Sequence, residues 1–298
     1  MRLDIRYTTR FRYGAPVAES QNELRACPAT DPHQWLVHYH VTTSPSSRVT
    51  SYTDYWGTRV DTFGIRAPHD VLEVVAEATV ETGPRPDAPS SVPMQALRDQ
   101  AFMDRHLEYL QPSAHVEWGP SVGSAAQACA DAGDVIDVVY AVHHHVAGFE
   151  YRTGQTYVGV GVDEVESQRA GVCQDFAHLA IAMYRELGIP ARYVSGYLFT
   201  VDDATGADSE LDEVEVETHA WVEVAIPGWG WLALDPTNSQ NVGERHVTIG
   251  RGRDYDDVSP FRGVFSGPRE HELEVTVAMR RLAVEPLGER LAAEQSQQ

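Results

Sequence analysis

One cysteine lies where the sequence predicts the start of a helix. After Cys173, apolar residues recur at the spacing of an amphipathic helix, namely Phe176, Ala177, Ala180, Ile181, Tyr184 and Leu187. Gly188-Ile189-Pro190 then ends the helix, because proline cannot continue its hydrogen bonding. A thiol at a helix N-terminus lies among unpaired N–H groups, which favour the thiolate. Cys173 is therefore a candidate nucleophile; the alternative is a small buried hydrophobic residue.

A histidine and an aspartate further along could complete such a site. The alternation from His219 to Ile226 predicts a strand, and a turn at Pro227-Gly228-Trp229-Gly230 leads to a return strand ending at Asp235. A three-residue connection would put Asp235 diagonal to His219 on the same face, with backbones about 7 Å apart. A four-residue connection would put it on the opposite face, and the sequence leaves both open. Cysteine, histidine and aspartate in this order suit thiol-dependent acyl transfer.

Charge and cysteine content exclude several classes of protein. The net charge of −21 disfavours nucleic acid and anionic membranes as partners, since both require a basic face. Cys27, Cys129 and Cys173 are odd in number and far apart, which argues against a disulfide framework and a zinc site. The sequence contains no run of eighteen apolar residues, and its first residues are typical of a strand rather than a signal peptide. These features predict a cytoplasmic protein.

Periodicity divides the chain into regions. Residues 1–83 contain six candidate strands at a spacing of about ten residues, which predicts an antiparallel β-sandwich. Residues 84–93 are rich in proline and predict a stiff linker. Residues 94–268 form the predicted second domain, and 269–298 a C-terminal strand and tail. Helices are predicted over 94–110, over 125–132 and after the cap residue Asp134, so the fold class is α+β.

Two further segments have strongly biased composition. His143-His144-His145 ends the third predicted helix, and three consecutive helical residues point in different directions, so we expect a structural role rather than a metal site. Residues 202–217 contain eight acidic residues and no basic residue. A solvated loop is the simpler interpretation of this segment, but it leads directly into His219. Its field would favour cationic substrates and oppose anionic ones.

These motifs resemble those of the transglutaminase-like superfamily, a papain-related group of thiol-dependent enzymes. The resemblance covers roughly residues 130–240 and depends on Gly171-Val172-Cys173-Gln174-Asp175, on residues 188–197, on His219-Ala220-Trp221-Val222-Glu223 and on Asp235-Pro236-Thr237. Residues 1–80 and 252–260 are also similar to the bacterial members, the former to their β-rich N-terminal region. The resemblance implies a core of helices packed on an antiparallel sheet after the N-terminal sandwich.

The resemblance also implies roles for individual residues. Cys173 would be the nucleophile, His219 the base and acid, and Asp235 the residue that orients the imidazole. The Cys173 backbone N–H is a candidate donor to the oxyanion, and further candidates for oxyanion or substrate contacts are Gln155, Tyr157, Gln174 and Trp221. No metal and no cofactor is implied.

Three functions stay open at this point. A peptidase or amidase acting on a peptide or protein amide, including cationic ones, is favoured, because amine transfer requires a water-excluding channel that the sequence does not reveal. A protein-glutamine gamma-glutamyltransferase and a catalytically silent binding module are the alternatives. The oligomeric state is not indicated.

Overall fold

The computed structural model describes residues 1–153, 160–200, 213–267 and 270–282. Elements are numbered in chain order. The strands are β1 (Arg2–Val17), β2 (Glu19–Leu24), β3 (Gln34–Ser44), β4 (Thr50–Thr53), β5 (Arg59–Ile65), β6 (His69–Thr82), β7 (Glu150–Tyr151), β8 (Ala170–Gly171), β9 (Ala191–Leu198), β10 (Glu213–Val216), β11 (Thr218–Ile226), β12 (Gly230–Asp235), β13 (Gln240–Asn241), β14 (His246–Gly252), β15 (Phe261–Ser266) and β16 (His271–Arg281). The α-helices are α1 (Gln100–Arg105), α2 (Pro120–Ala130), α3 (Val135–Ala147), α4 (Val162–Gln168), α5 (Cys173–Glu186) and α6 (Tyr255–Val258).

Two antiparallel sheets share one core in the N-terminal half. One sheet has the order β10-β16-β1-β6-β3 and the other β15-β2-β5-β4. Alternate residues of β1, such as Leu3, Ile5 and Tyr7, are buried, and they pack in the same core as Leu24 of β2 and Phe63 of β5. Period-two burial of this kind is what a sheet with one solvated face produces. The predicted α+β fold with an N-terminal β-sandwich is confirmed.

Strands from later in the chain complete this sandwich. β1 lies between β6 and β16, so that Ile5 pairs with Ala78 on one side and with Met279 on the other. β15 pairs with β2, and β10 pairs with β16. The sheets therefore include strands from residues 1–83, 94–268 and 269–298. The division of the chain at these boundaries, with a linker at 84–93, stays a prediction.

The predicted helix over 94–110 is wrong as a continuous element. The segment forms a 3₁₀ turn at Met94–Arg98, then α1, then a second 3₁₀ turn at Leu107–Tyr109. Asp99 has extended backbone, and its side chain accepts a hydrogen bond from the Phe102 N–H. An aspartate that caps a new helix start interrupts the preceding turn, which explains the break. The predicted cap at Asp134 is confirmed, because it accepts from the N–H groups of Ile136 and Asp137 at the start of α3.

A third sheet and a central helix form the other half of the fold. The sheet has the order β13-β12-β11-β9-β14. Ala220, Val222 and Val224 of β11 are buried in the same core as α5, whereas Trp221 packs on the opposite face with Val194 and Ala233. α5 is buried along most of its length, with α2, α3 and α4 around it. This packing fixes the start of α5 relative to β11.

The turn between β11 and β12 settles which face Asp235 occupies. Ile226 pairs with Gly230, so three residues, Pro227–Trp229, make the connection. Gly228 has φ +74°, a left-handed conformation that favours glycine. Continuing the register from the Val222–Leu234 pair puts Asp235 level with Trp221, and therefore diagonal to His219 on the same face.

Candidate active site

Cys173 is the first residue of α5, as predicted, and it is half-buried. The preceding turn is held by Asp175, whose carboxylate accepts a hydrogen bond from the Val172 N–H at 2.9 Å. A Cβ at position 171 would lie 2.9 Å from the Asp175 side chain, so glycine leaves the space that this cap needs. The Gly-Val-Cys-Gln-Asp sequence is thus a local device that starts a helix at the cysteine.

His219 lies in β11 and is hydrogen-bonded to Asp235 at the end of β12. The distance between His219 Nε2 and Asp235 Oδ2 is 2.9 Å, and Asp235 is fully buried. Cys173 also acts on this imidazole, because its side chain and its charge raise the pKa of His219. Because Nε2 faces Asp235, Nδ1 is the nitrogen available to Cys173. The structure therefore joins His219 to Asp235 by a hydrogen bond, and Cys173 acts on the same imidazole.

The surroundings of His219 favour its protonated form. Burial lowers its pKa, but hydrogen bonds to Asp235 and Cys173, together with the negative charges of these groups, outweigh burial and raise the pKa to about 9. Burial likewise acts to raise the pKa of Asp235, but hydrogen bonds from His219, His246 and Asn238 hold it well below its usual range. Asp235 is therefore ionised whenever the protein is folded near neutral pH.

Asp235 has partners beyond those that the sequence suggested. Oδ2 also accepts from Asn238 Nδ2 at 2.8 Å and lies 3.1 Å from Nε2 of His246. Oδ1 accepts from the backbone N–H groups of Thr237 and Asn238 at 3.1 and 3.2 Å. Together these contacts fix the carboxylate in position and orientation.

The sequence analysis missed Asn238 and His246. The backbone contacts of Asp235 to residues two and three positions later are those of an Asx turn, so the sequence Asp-Pro-Thr-Asn carried a local signal for Asn238. His246 carried none. It begins β14, which pairs with β9 and not with β12, and its approach to Asp235 follows from sheet order.

The other candidate residues lie in different places. Trp221 is fully buried, with its ring centre 6.0 Å from that of His219, so it packs below the imidazole and does not line an open surface. Gln174 is half-buried at the second position of α5. Gln155 and Tyr157 lie outside the described residues. A role for any of these four in binding substrate or an oxyanion stays a prediction.

An open groove lies beside His219. It has a volume of about 400 Å³ and is lined by Tyr151, Leu198, Thr200, Glu215, Val216, Glu217, Thr218, His219, Thr237 and Asn238. Burial raises the pKa of the Tyr151 phenol, and the charges of Cys173 and Glu217 raise it further. Two carboxylates, Glu215 and Glu217, line this groove together with His219. Both come from the described end of the acidic segment 202–217.

One group of potential metal ligands occurs among the described residues. The donor atoms of His219, Asp235 and His246 lie within 4.8 Å of one another. Hydrogen bonds between the two imidazoles and Asp235 Oδ2 already explain why these atoms lie close together. In the His143-His144-His145 triplet, His143 is buried, and burial lowers its pKa to about 4, while His145 contacts Glu166 at 3.0 Å.

The remaining cysteines are in a different environment. Cys27 and Cys129 are buried and free, and burial raises the pKa of both thiols, that of Cys27 to about 12.

Within residues 1–153, 160–200, 213–267 and 270–282, no helix has both the length and the apolar character needed to cross a bilayer.

The fold combines a cysteine at the start of a helix with a histidine on a sheet, and comparisons with known proteins identify the family. A model described as the bacterial transglutaminase-like N-terminal region matches residues 3–81, and a model described as the transglutaminase-like superfamily matches residues 123–236. An uncharacterized protein of Mycobacterium leprae is 37% identical over 284 residues, which are 95% of this chain and 99% of that protein. The chain belongs to the transglutaminase-like superfamily.

Two further proteins are similar to this chain, one in fold and one over a short stretch of sequence. A solved structure from Cytophaga hutchinsonii, described as a candidate cysteine protease, has a TM-score of 0.71 at 21% identity and covers 96% of this chain and 93% of that one. At this identity the likeness shows the fold alone. A protein-glutamine gamma-glutamyltransferase of Pseudomonas aeruginosa is 38% identical over 78 residues, which are 26% of this chain and 11% of that protein.

Proposed function

We propose that the protein cleaves amide bonds through a thioester on Cys173, as a peptidase or amidase of the transglutaminase-like superfamily. The observation that carries this proposal is the 2.9 Å hydrogen bond between His219 and the buried Asp235, with Cys173 at the start of α5 acting on the same imidazole. A carboxylate that is ionised and fixed can orient an imidazole and stabilise its cation, which in turn stabilises a thiolate.

The first half-reaction forms the thioester. The Cys173 thiolate attacks the carbonyl carbon, and charge develops on the carbonyl oxygen near the N-terminus of α5, where the Cys173 N–H is a candidate donor. The C–N bond then breaks, and the amine leaves with a proton from His219. The products of this step are an acyl-enzyme and a free amine.

Water completes the reaction. His219, now neutral, takes a proton from a water molecule, and the resulting hydroxide attacks the thioester carbonyl. The C–S bond breaks, the acyl group leaves as a carboxylic acid, and the thiolate–imidazolium pair forms again. Asp235 stays ionised throughout and holds the imidazole in one orientation.

The groove supports a cationic substrate. Glu215 and Glu217 line the space beside His219, and the whole chain has a net charge of −21. Both the local and the long-range field therefore attract positively charged peptides. We place the enzyme in the cytoplasm, because its three free cysteines suit a reducing compartment.

Amine transfer is the second candidate function. It is supported by the local similarity to the Pseudomonas aeruginosa protein-glutamine gamma-glutamyltransferase. In that reaction an amine, rather than water, attacks the same thioester, and glutamine substrates release ammonia in the first step. All 23 basic residues of the chain are arginine, so its own side chains offer no lysine amine as an acceptor.

Profiling over peptide and isopeptide libraries tests both functions, with Cys173→Ala as the blank. New peptide N-termini that need Cys173 would support hydrolysis, whereas ammonia release with incorporation of a labelled primary amine would support transfer. Absence of any Cys173-dependent product from a folded protein would contradict both and leave a binding module.

A further inference from the structure

Asp235 accepts hydrogen bonds from two imidazoles, and the proposed reaction uses one of them. His246 Nε2 lies 3.1 Å from the same Oδ2 atom that contacts His219, and His246 is buried. We propose that His246 is a positioning residue, which holds the Asp235 carboxylate so that His219 stays directed at Cys173. This inference rests on the proposed function.

The contacts of His246 define which of its nitrogens carries the proton. The backbone N–H of Gly243 donates to His246 Nδ1 at 3.2 Å, so Nδ1 is an acceptor. Nε2 therefore carries the hydrogen and donates it to Asp235. Burial, together with the charges of His219 and Arg85, lowers the pKa of His246 by more than Asp235 raises it. The lowered pKa favours the neutral ring. His246 is thus a neutral donor with a fixed direction.

The ring of His246 is also held from the side. It packs edge-on against the buried indole of Trp221, with ring centres 5.3 Å apart and an interplanar angle of 79°. His246 belongs to β14, whereas Asp235 ends β12, so the contact joins two strands that are not neighbours in the sheet. A donor that is fixed by its backbone and by a buried ring can fix the group that it contacts.

The three donors to Oδ2 also share its charge. An oxygen that serves His219, His246 and Asn238 stabilises each donor less than it would stabilise a single one. His246 therefore has two effects on the site. It keeps the carboxylate in place, and it moderates the attraction that holds the proton on His219.

A purely structural role predicts a different result from a positioning role. If His246 only fills space, replacing it by glutamine or by leucine should have similar effects. If its N–H is what matters, His246→Gln should retain function, because a glutamine amide can place a donor near the position of Nε2. His246→Leu has no donor and should fail.

The experiment measures turnover and the titration of His219 in the full chain. In His246→Leu we expect kcat to fall by on the order of tenfold or more with little change in KM, because misplacement of the base affects the reacting geometry. The midpoint of the His219 titration, followed by NMR of histidine-labelled protein, should move to higher pH, because Asp235 then serves fewer donors. His246→Gln should restore most of kcat and the original midpoint.

Matched variants control for lost packing. His178→Leu removes another buried imidazole, one that accepts a hydrogen bond from the Tyr255 N–H at 3.2 Å and has no contact with Asp235 among the described residues. It should lower stability without moving the His219 midpoint. If His246→Leu does not fold, His246→Asn replaces it. Asparagine keeps an amide, but its side chain is too short to place a donor at the position of Nε2, next to Asp235.

The positioning role would be overturned if kcat, the pH profile and the His219 midpoint were equal in the wild type, in His246→Gln and in His246→Leu or its replacement His246→Asn. Failure of the proposed function would look different. The wild type itself would then show no Cys173-dependent turnover, while the His219 midpoint could still be compared among the variants.

Discussion

Two carboxylates are buried on the same face of one sheet, and they differ in what compensates their charge. Glu223 of β11 accepts hydrogen bonds from Arg192 at 2.7 Å and from Arg251 at 3.0 Å. Arg251 also pairs with Asp31 at 2.6 Å, in the segment between β2 and β3. Asp235 instead contacts two imidazoles, one side-chain amide and two backbone N–H groups.

The difference separates a structural charge network from one that can do chemistry. Arginine keeps its proton at all accessible pH values, so the Glu223 network is electrostatically fixed. Burial would raise the pKa of Glu223, but Arg192 and Arg251 outweigh it and lower the pKa to about 2. The imidazole partners of Asp235 can lose and regain a proton near neutral pH. Burial of a carboxylate is therefore a weak indicator of function until its partners are known.

The largest effect is expected when Asp235 loses its charge but keeps its shape. Asp235→Asn should fold, because an amide can occupy the same space, but kcat should fall by on the order of 10⁴-fold, since the amide no longer favours the productive imidazole tautomer or its cation. Steady-state kinetics together with circular dichroism would measure this. Near-normal turnover in the folded variant would mean that Asp235 does not orient His219.

The next effect concerns which cysteine reacts. At neutral pH, limiting iodoacetamide should modify Cys173 first, by on the order of tenfold or more, because Cys27 and Cys129 are buried thiols with raised pKa values and Cys173 is paired with His219. His219→Ala should slow the labelling of Cys173 and leave the other two unchanged. Peptide mapping by mass spectrometry measures all three rates. Equal labelling of the three thiols would remove the physical basis for the nucleophile.

Loss of the Glu223 charge should lower the stability of the protein. Glu223→Gln removes the buried counter-charge of Arg192 and leaves Arg251 paired with Asp31 alone, which we expect to cost about 3–5 kcal/mol of unfolding free energy. Turnover per folded molecule should change little. Urea denaturation with activity measured at low urea tests both statements. A stable variant with lost turnover would reverse the assignment of the two carboxylates.

The Glu223 carboxylate and the His219 imidazole should lose their stabilising effects at opposite ends of the pH scale. The pKa of Glu223 is lowered from 4.5 to about 2, so its contribution is present above pH 4.5 and is lost as the pH falls towards 2. The pKa of His219 is raised from 6.5 to about 9, so its contribution is present below pH 6.5 and is lost as the pH rises through 9. Thermal melting against pH should show a flatter acid limb in Glu223→Gln and a flatter alkaline limb in His219→Ala.

How much of this could be predicted from sequence depends on the range of each interaction. The start of α5 at Cys173 was predictable because Gly171, Asp175 and the apolar spacing act within a few residues. The face of Asp235 was not, because one residue in the turn length reverses it. The contact of His246 depends on the order β12-β11-β9-β14, and the pairing of β16 with β1 joins the two ends of the described chain. Such long-range pairings leave no local pattern.

The smallest effect is expected in the groove. Glu217 is exposed, so its charge acts through solvent and should change kcat/KM only severalfold, by roughly two- to fivefold at low ionic strength. Glu217→Gln should lower kcat/KM for peptides with lysine or arginine near the scissile bond, leave neutral peptides unaffected, and lose its effect as salt is added. Glu213→Gln is the matched control, because Glu213 is an exposed carboxylate of β10 that does not line the groove. If both variants lower kcat/KM equally, the overall negative charge rather than the groove attracts the substrate. If neither variant distinguishes cationic from neutral peptides, the preference for cations is wrong, whereas the contrast between Asp235 and Glu223 would stand.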